Sequence, residues 1–413
     1  MRVGLQVDLN DSHIDRRSPS SQRQLAISVS AIAAEALEQS VPLNLCLILD
    51  HSGSMSGRPL ETVKQAAAQL IDRLKKGDRL SVVAFDHRAQ TIVPNSIVED
   101  PERIKRQINR LQADGGTAID EGLRLGIEEL AKGRKDTVSY AFLLTDGENE
   151  HGSNERCYKF ATLATEYKLA LNTLGFGSHW NQDVLERIAD AGRGAMAYIE
   201  RPDQASEEFN RLLSRVQSVG LTNAYLRLAL MPNVRLAELK PVAQVAPDTI
   251  ELPVEAEGQE TIVRLGDLMR DRPRIVLANL YIGQLPPGQQ AIASVQVIYD
   301  DPLVQQEGLR SETLTVEANV MEDYHPAVNS QVQPHILALA KYRQTQLAEA
   351  KLQQGDRMGA ATLLQTAAKT ALQMGDRGAA TVLQDNATRL QSGEDLSDAD
   401  RKKTRIVSKT ILH

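Results

Sequence analysis

Between residues 43 and 200 the chain alternates short, continuously apolar runs with longer amphipathic ones. LNLCLIL (43–49) ends at Asp50, and helical spacing follows over 58–76 through Leu60, Val63, Ala67, Leu70, Ile71 and Leu74. RLSVVAF (79–85) is apolar, IKRQINRL (104–111) and AIDEGLRLGIEELAK (118–132) are amphipathic, and VSYAFLLT (138–145) is apolar again. A helix over 155–168, the run LALNTLGFG (169–177), a helix over 182–191 and AMAYIE (195–200) complete the series. Apolar runs without polar alternation suit strands covered on both faces. Interleaved with helices they predict one α/β domain over 41–219, with a mostly parallel central sheet.

After Gly220 the period changes. AYLRLAL (224–230), TIELPV (249–254), TIVRL (261–265), IVLANLYI (275–282), AIASVQVIY (291–299) and ETLTVEA (312–318) alternate, with turns rich in Pro, Gly and Asp between them. An all-β, sandwich-like module over 220–330 is expected. RVGLQVDL (2–9) and LAISVSAIA (25–33) alternate in the same way, so residues 1–40 are read as the first part of that module, split by the inserted α/β domain. From 331 to 392 the pattern is helical, and GDRMGAATLLQ (355–365) resembles GDRGAATVLQ (375–384), with Asp356 and Asp376 as N-caps of a small bundle. Residues 393–413 show no apolar face and are expected to form a flexible tail, with Thr404, Ser408 and Thr410 open to phosphorylation beside Arg405.

At 413 residues the chain is long enough for about two or three domains. A hydrophobic content of 42% with 24% charged residues is that of a globular protein, and the net charge of −7 provides no basic footprint for nucleic acid. Cys46 and Cys157 lack any metal or disulfide spacing. No secretory leader and no run long enough to span a membrane is visible, so a cytoplasmic location is expected.

Candidate chemistry gathers in three loops. Asp50-His51-Ser52-Gly53-Ser54-Met55 follows the first strand of the α/β domain, Gly115-Gly116-Thr117 opens a helix, and Asp146-Gly147 follows the strand ending at Thr145. In an open α/β sheet all three should converge at the carboxyl edge, where ligands concentrate. Hydroxyls and carboxylates are hard ligands that suit Mg²⁺, Mn²⁺ or Ca²⁺ and not Zn²⁺. This constellation resembles the von Willebrand factor A (vWA) family, whose metal-ion-dependent adhesion site (MIDAS) is a D-x-S-x-S loop with a distant Thr and a distant Asp. The resemblance covers about residues 41–215, including GFGSHWNQDVLERIADAGRGAMAYIE (175–200). It implies a Rossmann-like vWA fold in which Ser52 and Ser54 bind the metal directly, and Thr117, Asp50 and Asp146 bind it directly or through water. Mg²⁺, the abundant intracellular ion, is the expected metal.

Two carboxylates and three hydroxyls do not complete the octahedral shell that Mg²⁺ requires, so an Asp or Glu from a protein partner is the natural further ligand. The expected function is metal-dependent protein recognition or scaffolding with no catalytic residues, and His51, Met55, Glu148, His151, His179 and Trp180 form the candidate contact rim. The alternatives are an adaptor subunit for a separate ring ATPase or chelatase-like complex, self-association, and a metal-dependent hydrolase. The last is disfavoured because a flat rim does not exclude water. Gly175-Phe176-Gly177 starts like a dinucleotide fingerprint but has Trp180 in place of the third glycine, Asp8, Asn10 and Ser12 lack the rest of a calcium loop, and there is no Walker A sequence.

Overall fold

The computed structural model describes residues 1–32, 41–177, 180–258, 260–270 and 272–409. The chain divides into two compact units, one of Leu37–Val219 with Pro302–Gln305 and one of Met1–Ala36, Gly220–Asp301 and Gln306–His413.

The first unit is a Rossmann-like α/β domain. Its sheet runs in the order Ala89–Ile97, Arg79–Phe85, Leu43–Asp50, Val138–Thr145, Leu169–Phe176, Arg193–Ile199. The outermost strand, Ala89–Ile97, is antiparallel and the other pairings are parallel. Every residue of Leu43–Asp50 is buried because the two faces feed two different cores. Leu43, Leu45, Leu47 and Leu49 meet Val63 and Leu70 of the helix Arg58–Asp72 and Phe209 and Leu212 of the helix Ala205–Gln217. Cys46 and Ile48 point the other way, to Leu123 and Leu130 of Ile119–Gly133 and Ala161 of Asn154–Glu166. The uninterrupted apolar run is therefore a consequence of period-two side chains with no solvent face.

In the second unit, Arg2–Leu9 pairs with Ser20–Ile32 from Arg2 opposite Ile32 to Leu9 opposite Leu25, and Ser20–Ile32 pairs in turn with Arg274–Gly283. Strands on either side of the α/β domain in sequence thus share one sheet, ordered Arg2–Leu9, Ser20–Ile32, Arg274–Gly283, Val242–Ala246, Ile250–Glu251. A second sheet runs Glu255–Glu257, Glu260–Met269, Val219–Leu230, Gly288–Asp301, Leu314–Met321, His13–Asp15. Leu25, Ile27 and Val29 of one sheet and Leu226, Leu228, Val295 and Val297 of the other share a core.

The helices Gln333–Gln353, Arg357–Gln373, Arg377–Gln391 and Asp398–Lys409 follow. Small residues dominate their contacts, among them Ala348, Ala360, Ala367, Ala368, Ala380 and Ala387, which lets the backbones approach closely. Asp356 and Asp376 do cap their helices, accepting from the amides of Gly359 (2.8 Å) and Ala379 (2.9 Å). Leu339 and Tyr342 lie against Val245 and Leu277 of the first sheet of this unit.

The expectation of a flexible tail over 393–413 is corrected for Asp398–Lys409, which is a docked helix. Its interface is polar, which is why no apolar face announced it. Asn386 donates to Thr404 Oγ1 (2.7 Å), buried Lys341 donates to the Val407 carbonyl (2.7 Å), and the Thr249 amide donates to the Lys409 carbonyl (2.9 Å). Thr404 and Ser408 are buried and so closed to a modifying enzyme, while Thr410 lies outside the described residues. Among the described residues no helix is long and apolar enough to cross a membrane.

Candidate metal centre

Asp50 ends the central strand Leu43–Asp50 at its carboxyl edge, and its carboxylate is held from two sides. Oδ1 accepts from the Ser52 amide (2.8 Å) and Oδ2 from the Thr145 hydroxyl (2.5 Å). The chain then turns through the short 3₁₀ segment Gly53–Met55, which places Ser52 Oγ 3.1 Å from Ser54 Oγ. Ser54 Oγ in turn donates to Asp146 Oδ1 at 2.7 Å. Residues 92 apart in sequence are thereby in direct contact.

The second loop is stitched to the first by the Gly53 amide on the Gly115 carbonyl, the Asp114 amide on the His51 carbonyl, and His51 Nδ1 on the Gln112 carbonyl, each at 2.9 Å. Gly115 sits at φ 73, the left-handed region that favours glycine, and a Cβ there would fall 2.5 Å from Nδ1 of the exposed His87 ring. Thr117 is buried, and the point where a Gly147 Cβ would stand is 3.0 Å from Thr117 Oγ1. The third loop thus presses directly onto Thr117. The His151 amide ties it down further by donating to the Thr117 carbonyl (2.9 Å).

These oxygens suit a hard divalent cation. Burial pushes the Asp50 carboxyl up to about 6 despite the Thr145 and Ser52 hydrogen bonds, and the charge of Asp146 pushes the same way. Two carboxylates brought together in a covered site repel each other, which a cation relieves. Among the described residues no three His, Cys, Asp or Glu side chains gather at one point, so the donor set is one in which hydroxyls outnumber carboxylates. That composition favours Mg²⁺ over Zn²⁺.

The expected contact rim needs correction. Met55 is 0% exposed because the 3₁₀ turn folds it back into the core with Leu60, and Trp180 is 2% exposed with its ring against Tyr198 and its Nε1 on the Gly177 carbonyl. His51 is buried, its ring occupied by Gln112. None of the three offers a surface to a partner. Glu148 and His151 are exposed on the third loop, and His179 lies outside the described residues. Thr145 was missed by the sequence reading, although a threonine ending a fully apolar strand beside a candidate ligand is a readable signal.

Residues 44–211 match the family model described as von Willebrand factor type A domain, and residues 330–413 match the Sll0103-like, C-terminal alpha-helical domain. The uncharacterized protein sll0103 of Synechocystis sp. is 59% identical over 412 residues, which is 100% of this chain and 98% of that protein. The structure is similar to that of a von Willebrand factor type A protein from Catenulispora acidiphila (TM-score 0.80, 18% identity, 99% of this chain and 97% of that one). It is also similar to the ArnB paralog VWA2 from Sulfolobus acidocaldarius (TM-score 0.60, 15% identity, 99% and 98%). At such identities these likenesses show the fold.

Proposed function

The chain belongs to the sll0103-like family, with a von Willebrand factor A domain ahead of the Sll0103-like helical domain, and on that premise we propose that it is a non-enzymatic recognition protein whose partner binds through a divalent metal. Asp50, Ser52, Ser54, Thr117 and Asp146 would hold the ion, most simply Mg²⁺, with Mn²⁺ or Ca²⁺ accepted by the same oxygens. The observation that carries the reading is the Ser52–Ser54–Asp146 chain of contacts at 3.1 and 2.7 Å, which draws ligands from two distant loops into one small space.

Domains of this type generally mediate protein–protein interaction. The metal would supply a positive charge able to accept an acidic oxygen of a partner. The chain's own residues supply what makes that selective: the Thr145 and Ser52 hydrogen bonds fix the Asp50 carboxylate, and Gly147 keeps the third loop against Thr117. Glu148, Glu150 and His151 stand exposed around the site, and general acid–base work would want such groups shielded from water.

Affinity capture from the source cell tests the proposal. A partner held in Mg²⁺, released by EDTA and absent from a Ser52→Ala, Ser54→Ala double variant is the expected result. A partner held equally by the double variant contradicts it.

A further inference from the structure

The helix Ile119–Gly133, which begins two residues after the proposed ligand Thr117, has no cap of its own: its N-cap residue is Ala118, whose methyl group accepts nothing. The acceptor comes from the third loop, 30 residues further along the chain, where Asn149 Oδ1 receives the Ile119 amide at 2.7 Å. A backbone amide can only donate, so this contact also fixes which way the Asn149 side chain faces. Its Nδ2 is left to donate to Asn154 Oδ1 (3.2 Å) and to Cys157 Sγ (3.6 Å), both in the first turn of the helix Asn154–Glu166. One side chain thus joins the starts of two helices.

A second link runs beside it. Asp120 follows Ile119 and is 1% exposed, and Arg156, in the first turn of Asn154–Glu166, places Nη1 2.9 Å from Asp120 Oδ2 while its Nη2 donates to Glu121 Oε1 at 2.7 Å. A carboxylate covered to this extent needs a counter-charge, so separating the pair is costly. Gly152 lies over both links, because a Cβ there would overlap Asp120 Oδ1 and Asn149 Oδ1. The loop that carries Asp146 is therefore closed onto the residues after Thr117 at Asn149 and Gly152 as well as at His151.

We infer that Asn149 and the Asp120–Arg156 pair are positioning residues of the metal centre, which hold Thr117 and Asp146 at a fixed separation and so set the affinity of the site for Mg²⁺ relative to Ca²⁺. This rests on the metal reading above. Thr117 stands two residues before the Ile119 amide and Asp146 three residues before Asn149. A shift between that amide and that side chain thus moves two ligands from different loops against each other. Mg²⁺ demands near-octahedral oxygens at about 2.0–2.1 Å, whereas Ca²⁺ accepts a flexible shell at about 2.3–2.6 Å, so loosened ligands penalise Mg²⁺ more.

The test compares the full wild-type chain with Asn149→Ala and with an Asp120→Asn, Arg156→Ala double variant, which removes the pair without leaving a buried charge. Calorimetry gives the Mg²⁺ and Ca²⁺ affinities, hydrogen exchange in EDTA reads the Ile119 amide and the third loop without metal, and urea unfolding reads stability. Both variants are expected to exchange faster at these positions and to bind Mg²⁺ roughly tenfold more weakly, with a smaller loss for Ca²⁺. A purely structural role would lower the urea midpoint and leave the ratio of the two affinities as in wild type, and that unchanged ratio in both variants overturns the inference. Wild-type exchange at Ile119 in Asn149→Ala overturns it too, since the cap would then hold nothing. Faster exchange in the variants with no uptake of either ion by wild type overturns the metal reading instead, and the inference with it, while the link between the two loops stands.

Discussion

Adding one methyl group at Gly175 tests how the single tryptophan is used. Gly175 lies in Leu169–Phe176, and an ideal Cβ there would stand 2.3, 2.4 and 2.6 Å from Cε2, Cδ2 and Cζ2 of Trp180. Ordinary carbon contacts need about 3.5–4.0 Å, so in Gly175→Ala the indole must retreat by roughly 1 Å. It has no free direction, because the ring is 2% exposed, lies 5.5 Å from Tyr198 between centroids, and donates Nε1 to the Gly177 carbonyl at 2.9 Å. Overpacking of this kind costs about 1–3 kcal/mol, and loss of the Nε1 bond adds about 1 kcal/mol. Urea unfolding followed by tryptophan fluorescence reads the α/β unit alone, since Trp180 is the chain's only tryptophan. A lower midpoint with red-shifted native emission is expected. An unchanged midpoint and spectrum would refute the packing described, and would return the ring to the role of an exposed contact.

Three structural features yield further outcomes. Burial would raise the Asp11 carboxyl, but hydrogen bonds from Tyr324 and from the amides of His13 and Ala327, with the Arg23 guanidinium, hold it below 3.8. Its contribution to stability is therefore complete above that value and lost as pH falls through the lower folded one, so Asp11→Asn should flatten the acid limb of a stability–pH curve, and an unaltered limb contradicts this. The Cys46 and Cys157 thiols are both pushed up to about 12, chiefly by burial, and should react with iodoacetamide at mildly alkaline pH only after unfolding. Prompt labelling of the native chain would show that either is reachable. Lys341→Ala removes the partner of Asp376 and of the Val407 carbonyl, should cost about 3 kcal/mol, and should speed hydrogen exchange across Asp398–Lys409. Exchange there at the wild-type rate would show that the helix docks without it.

How much of this was legible follows from what each segment buries. Leu43–Asp50, Val138–Thr145 and Leu169–Phe176 are buried at every residue and so read as apolar runs. Ala89–Ile97 is an edge strand with one buried residue and Pro94 inside it, and it leaves no periodic trace. The helix Ala205–Gln217 does carry a signal, Phe209, Leu212, Leu213 and Val216 at helical spacing, which the reading of the domain as a whole passed over. Asp398–Lys409 was illegible for another reason: its buried residues Lys402, Thr404 and Ser408 are polar, and a hydrogen-bonded interface does not follow hydrophobic periodicity. At the site, two of the loops could be placed from strand ends and the third from the start of the helix that follows Thr117. The inward turn of Met55 could not, because a methionine after two serines looks like a loop residue until the 3₁₀ segment is seen.

Titration calorimetry of Mg²⁺ into the full chain and into Asp146→Ala tests the central claim most directly. The account predicts saturable uptake by the wild-type chain and none by the variant, with both folded by circular dichroism. A folded wild-type chain that takes up no magnesium, manganese or calcium at millimolar concentration would contradict it.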